Sequence, residues 1–300
     1  MTKRKLHPDG PEVSDIVYGC WRLGEDPAGT SLAVITAKMQ ACLQNGINTF
    51  DHADIYGGYS NEALFGEAFA NSGIKREDLV LISKCGIKLV NPARPEHRVK
   101  HYDTGRWHLI NSVEASLKNL RTDYLDLLLL HRPDPLMDAA ATAEALEELI
   151  GAGKIRHVGV SNFPVEQQRL LASKLGVPIV SNQLEFSLLY TEPLTNGIID
   201  YQKQVNSIPM AWSPLAGGRL LSAEDARAAN IRTVLEKLAV QYQTSIETLA
   251  LAWVLKAGVL PVIGTNNLTR IKQSAAAIDI ALDLQDWYLL YEASLGHPVA

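Results

Sequence analysis

Cysteine is scarce in this chain: Cys20, Cys42 and Cys85 are three in 300 residues, an odd and unpatterned set. That excludes a disulfide scaffold or a cysteine-rich zinc site and suits a reducing compartment. Concentrated charge is missing too. Lys+Arg number 28 against 33 Asp+Glu, with no basic block, so nothing offers the clustered cations that nucleic acid or an anionic membrane would need. Long apolar runs are absent; the longest, such as Leu249 to Leu255, fall far short of a bilayer span. The opening Met1 to Gly10 is basic with no apolar run behind it, which does not read as a secretory signal. The expectation is a cytoplasmic protein with no membrane or nucleic-acid partner, and a monomer. There is no Gly/Ser/Pro-rich linker and no shift in composition, so residues 1–300 read as one domain. With 47% hydrophobic and 20% charged residues, disordered and fibrous classes are excluded.

What is present is an alternation. Short apolar runs recur at Ile16–Tyr18, Ile47–Phe50, Leu79–Ile82, Tyr124–Leu130, Ile155–Val160, Pro178–Val180, Ile208–Trp212 and Leu260–Ile263. Eight runs at intervals of roughly 35 residues fit one strand, one helix and two loops per unit. Leu127–Leu130, apolar throughout, reads as a strand buried on both faces of a parallel sheet. Between the runs lie helical patterns: Leu32, Ile35, Met39, Cys42 and Leu43 after Thr30-Ser31, and Leu146, Leu149 and Ile150 after Asp138. Cys85–Arg106, His131–Met137 and Pro214–Asp225 fit no helix, and the residues after Ile280 read as a terminal helix. The fold expected is an α/β (β/α)8 TIM barrel with long loops at its C-terminal face.

In such a barrel the strand ends converge, however far apart they are in sequence. Here they carry Asp51, His52, Asp54 and Tyr56; Ser83-Lys84; His131-Arg132; Ser161-Asn162; Asn182-Gln183; and Trp212-Ser213. Two chemistries could use the set. Asp51, His52, Asp54 and His131 offer candidate metal ligands for hydrolysis, but the His-x-His pair common in such barrels is absent, and adjacent residues 51 and 52 would point apart. The other is proton transfer by a tyrosine. The Lys84 ammonium would lower the Tyr56 pKa, Asp51 would hold the lysine charged, and His131 would bond the same substrate oxygen. Only the second uses every member.

Asp51-His-Ala-Asp-Ile-Tyr56-Gly-Gly, Ile82-Ser-Lys84, Leu-Leu-His131-Arg-Pro-Asp, Gly159-Val-Ser161-Asn162-Phe163, Ser181-Asn182-Gln183, Trp212-Ser213-Pro214-Leu215 and Ile263-Gly264-Thr265 stand in one fixed order. In this they resemble the aldo-keto reductases from about residue 12 to 295, and look closest to the bacterial YdhF-like branch. The resemblance implies an NADP-dependent reductase of aldehydes or ketones, with NADPH preferred over NADH. Tyr56 becomes the proton donor, Lys84 its tuner, Asp51 the lysine's partner and His131 the group that orients the carbonyl. Ser161 or Asn162 and Gln183 would grip the nicotinamide carboxamide, with Trp212 stacked on the ring and Ser213 beside it. Leu215, Gly217 and Arg219 would lie along the pyrophosphate, and Gly264, Thr265, Asn266 and Arg270 at the adenosine end. Many relatives carry a lysine where this chain has Gly264, which leaves the 2′-phosphate to Thr265, Arg270 and the start of a helix near Asn267.

Blander readings stand beside these. Asp51–Lys84 could be a buried structural ion pair. His52 could pack rather than line the substrate pocket, and Trp21 could be core or pocket wall. Cys20 and Cys85 read as inert buried thiols, and Trp107, Trp253 and Trp287 as packing residues. No metal is expected. A cofactor-binding, redox-sensing auxiliary subunit with slow turnover is the alternative from another class.

Overall fold

The computed structural model describes residues 3–92, 94–222 and 226–300. Its strands are β1 (Lys3–Lys5), β2 (Glu12–Ser14), β3 (Val17–Gly19), β4 (Thr49–Asp51), β5 (Val80–Cys85), β6 (Ile87–Lys88), β7 (His101–Tyr102), β8 (Leu127–Leu130), β9 (Val158–Ser161), β10 (Ile179–Glu185), β11 (Met210–Trp212) and β12 (Leu260–Ile263). The helices are α1 (Leu32–Gln44), α2 (Asn61–Ala70), α3 (Arg106–Leu120), α4 (Ala139–Gly151), α5 (Val165–Ala172), α6 (Ile198–Gln204), α7 (Ala226–Gln241), α8 (Ile246–Lys256), α9 (Leu268–Ala275) and α10 (Leu284–Leu295). Strands β3-β4-β5-β8-β9-β10-β11-β12 close into a barrel, and every pairing around it is parallel. These eight strands coincide with the eight apolar runs of the sequence, and the chain is a (β/α)8 barrel.

Alternation along each strand sorts the side chains. Val17, Val80, Ile82, Leu127, Leu129, Met210, Leu260 and Val262 fill the barrel interior, and Leu6 and Val13 of the β1–β2 hairpin close its N-terminal end. Outward residues such as Phe50, Leu81 and Leu128 pack beneath the helices. Helix starts follow the capping chemistry: Ser31 accepts from the Val34 N–H, Asp138 from Ala140 and Ala141, and Asp283 from Gln285. Inside the shell Trp253 and Trp287 stack at 5.1 Å, and each indole N–H donates to the other's carbonyl oxygen.

Three features depart from expectation. The hairpins β1–β2 and β6–β7 were not legible, because three- and two-residue strands leave no periodicity to read. Trp107 is 71% exposed, since α3 buries Leu109, Val113, Leu117 and Leu120 along a face that residue 107 lies off. The segment Pro214–Asp225 contains a 3₁₀ turn over Ala216–Leu221, and residues 223–225 lie outside those described. No helix among the described residues is long and apolar enough to cross a membrane.

Candidate active site

The site is the next layer above the apolar filling of the barrel. Two residues beyond Thr49, Ile82, Leu129 and Gly159 stand Asp51, Lys84, His131 and Ser161, so strand alternation carries them to the same interior. There Lys84 Nζ donates to Asp51 Oδ2 at 2.6 Å and to the His52 carbonyl at 2.8 Å, and lies 3.2 Å from Tyr56 Oη. Asp51 and Lys84 are 2% and 1% exposed, so this contact is a buried ion pair rather than a surface one. Its geometry is completed by Gln183, whose Nε2–H donates to Asp51 Oδ1 at 2.9 Å. The His131 ring meets the Tyr56 ring edge-on with centroids 5.9 Å apart.

The electrostatics differ in one respect from the sequence expectation. Burial pushes the Tyr56 phenol above its ordinary range, and outweighs the downward pull of the Lys84 ammonium. Tyr56 is therefore held protonated, the state a proton donor requires. Burial opposes the charge on Lys84 as well, but Asp51 and Tyr56 together hold its pKa above the ordinary lysine value. His131 is pushed well below its ordinary value by burial and by Lys84, so its imidazole is neutral and able to donate or accept.

Beside this group lies a second set. Asn162, with φ +56°, accepts the Trp212 indole N–H at 3.0 Å and donates to Ser161 Oγ at 2.9 Å. Ser161 Oγ–H in turn donates to the Gln183 carbonyl at 3.0 Å. The Asn162 amide thus serves to orient Trp212 and Ser161. Downstream, Ser213, Ala216, Gly217 and Gly218 all have positive φ, and a Cβ at either glycine would meet nothing within 4 Å. This exposed turn, with Leu215 partly buried and Arg219 exposed, presents open backbone to a ligand. At the end of β12, Gly264 is exposed and open, Arg270 is exposed, and α9 begins with Asn267 capping the Arg270 N–H. The Thr265 carbonyl accepts from Tyr18 Oη, and the Asn266 amide donates to the Arg22 carbonyl at 2.7 Å, so these two also brace the strand-one end. A partly exposed indole, an open backbone turn and a helix N-terminus at neighbouring strand ends fit a dinucleotide.

His52 does not line the pocket. Its ring faces outward onto Phe65 at 4.4 Å, fully buried, with both nitrogens lacking a partner among the described residues and the pKa lowered to about 3. Alternation explains this: residue 51 points inward, so residue 52 must point out. Trp21, 54% exposed with the Arg22 guanidinium over its ring, lies after β3 on the rim. Cys20 and Cys85 are fully buried with thiol pKa values pushed well up, so they are inert. Asp54 also faces outward, where burial and the neighbouring Glu62 hold its carboxyl well above the usual range. Among the described residues no three His, Cys, Asp or Glu side chains converge to hold a metal ion. Two residues of the mouth had been given no role. Arg132 follows His131, and Glu185 lies two residues beyond the inward Gln183, a position that alternation alone would have pointed to.

The chain and its fold are similar to known proteins. The aldo/keto reductase family model matches residues 15–294. The chain is 44% identical over 294 residues to the 6-dehydroglucose reductase of Agrobacterium fabrum, covering 97% of this chain and 98% of that one. It is 42% identical over 297 residues to the oxidoreductase YdhF of Escherichia coli, covering 98% of each. Among solved structures, the thermostable aldo-keto reductase Tm1743 superposes with a TM-score of 0.83 at 28% identity, covering 98% of this chain and all of that one. With its barrel closed and its strand ends so furnished, the chain belongs to the aldo/keto reductase family.

Proposed function

We propose that this oxidoreductase uses NADPH to reduce an aldehyde or ketone, with Tyr56 as the proton donor. The observation that carries the reading is the buried chain Asp51–Lys84–Tyr56, at 2.6 and 3.2 Å, ending in a protonated phenol beside a neutral His131. Bound NADPH would supply the hydride, and Trp212, Ser161, Gln183 and the open turn at Gly217 would hold it. The carbonyl oxygen accepts hydrogen bonds from Tyr56 Oη–H and from His131, which polarises it and fixes its position. As negative charge develops on that oxygen the Tyr56 proton passes to it. The phenolate left behind is stabilised by the Lys84 ammonium, which Asp51 and Gln183 keep in place.

The Agrobacterium relative is named for an aldehyde of a sugar. An aldehyde borne on a hydroxylated chain is accordingly the substrate class we infer here. For the coenzyme, Arg270 and the first turn of α9 would meet the 2′-phosphate of NADPH. Steady-state NADPH oxidation with a panel of simple, hydroxylated and aromatic aldehydes tests the reading. Turnover with at least one of them is expected, and absence of turnover with all of them overturns it in favour of a cofactor-binding protein.

A further inference from the structure

Arg132 and Glu185, both beside Trp212, make no ion pair among the described residues. Arg132 lies partly buried directly after His131. Its Nη1 donates to the His131 carbonyl at 3.2 Å and reaches Ser161 Oγ at 3.4 Å, and its guanidinium carbon stands 5.4 Å from the centre of the Trp212 ring. Nε and Nη2 make no hydrogen bond among the described residues, so three N–H donors remain for something else. Glu185 lies on the inward face of β10, opposite Trp212 in register, with its own N–H tied to Asn162 Oδ1 at 3.3 Å. Its carboxylate has no hydrogen-bond or ion-pair partner among the described residues; it feels the positive charges of Arg132 and, from the exposed turn, Arg219, and the negative charge of Glu192. Tyr102 of β7 and the phenol of Tyr56 also lie within that reach of Arg132.

A guanidinium with donors to spare and a carboxylate with acceptors to spare, both placed beside Trp212, do not suit an anion. Glu185 would repel it. They do not suit an alkyl chain either, which would strand both charges without solvent. A hydroxyl group donates and accepts at once, and neighbouring hydroxyls on one chain would satisfy both residues. We propose that Arg132 and Glu185 form a specificity subsite that reads the hydroxyls next to the reacting carbonyl, selecting uncharged polyhydroxylated aldehydes or ketones. The inference rests on the reductase reading and names the residues that would select its substrate class.

The test compares three aldehydes of four carbons under saturating NADPH: D-erythrose, butanal and succinic semialdehyde. Arg132→Met should raise the KM for erythrose by about tenfold or more, the scale of a lost charged hydrogen bond, while kcat for erythrose changes by less than about threefold. The kcat/KM for butanal should fall far less than that for erythrose. Arg132→Lys should recover part of the erythrose KM, and Glu185→Gln should raise it again without improving butanal. Equal losses for erythrose and butanal in Arg132→Met would overturn the proposal, because Arg132 would then act on the shared coenzyme or barrel geometry. Preference of the unaltered protein for succinic semialdehyde, abolished in Arg132→Met, would also overturn it by making the subsite one for anions. Turnover of butanal by the unaltered protein keeps the reductase reading standing in either case; no turnover of any of the three ends both.

Discussion

Replacing Lys84 with methionine separates the catalytic from the structural meaning of the buried ion pair. The substitution keeps an unbranched side chain of similar length but removes an ammonium that stands 2.6 Å from Asp51 and 3.2 Å from Tyr56. Asp51, 2% exposed, then keeps the Gln183 amide as its one donor among the described residues. Stranding one member of a buried pair costs about 3–5 kcal/mol, and the surviving Gln183 bond places this case near the lower end, at about 3 kcal/mol. Turnover should fall by about 100-fold or more, since burial holds the Tyr56 proton tightly and nothing would remain to stabilise its loss. Urea unfolding and NADPH-linked turnover are then measured on Lys84→Met, Asp51→Asn and the double variant. Removing the orphan charge in the double variant should return stability to within about 1 kcal/mol of the natural protein while turnover stays lost. Recovery of turnover together with stability would remove Lys84 from the chemistry and leave Asp51–Lys84 as scaffolding. The pair also sets an alkaline limit. Because the folded-state pKa of Lys84 is raised, its contribution is complete below about pH 10.4 and is lost as the pH climbs through the raised value.

Three further outcomes are expected. His52 is buried neutral with its pKa lowered to about 3, so the unfolded chain takes up its proton first as the pH falls below about 6.5. That should cost about 2 kcal/mol of stability between pH 7.5 and 5, a share that unfolding of His52→Leu should not show; an unchanged pH slope would refute it. A Cβ on Gly159 would come within 2.5 Å of Leu129 Cδ2 and 2.9 Å of the Ser181 carbonyl, so Gly159→Ala should lose about 1–3 kcal/mol in urea unfolding and weaken NADPH binding through the displaced Ser161. Arg270→Ala should weaken NADPH binding by about 1.5–3 kcal/mol and NADH binding much less, by fluorescence titration; equal losses would remove the phosphate role, and tighter NADH binding by the natural protein would overturn the coenzyme preference.

The barrel was legible because eight apolar runs recur at a nearly constant interval, and a run such as Leu127–Leu130 has no other use than burial on both faces. The clustering of the candidate site residues was legible because polar residues directly after such runs must share one rim. What periodicity could not show was which of two adjacent residues points in. The strand register settles that for Asp51 against His52, and makes His52 a packing residue on Phe65. Nor could spacing reveal that Gln183 braces Asp51 across the barrel, since the two stand 132 residues apart. Arg132 lay in plain view beside His131. The role proposed for it draws on Trp212, Ser161 and Glu185, three strand ends that chain order keeps separate. Net pKa shifts were likewise out of reach, because burial, which decides Tyr56, is a property of the folded shell.

In the proposed mechanism everything turns on the proton that Tyr56 gives to the carbonyl oxygen. Tyr56→Phe keeps the ring that His131 packs against and removes only the hydroxyl. Turnover with the best aldehyde substrate should fall by about 10²–10⁴-fold while NADPH binding, followed by fluorescence titration, stays within about twofold of the natural protein. Retention of more than about half the turnover with coenzyme binding intact would contradict that transfer and remove Tyr56 from the reaction.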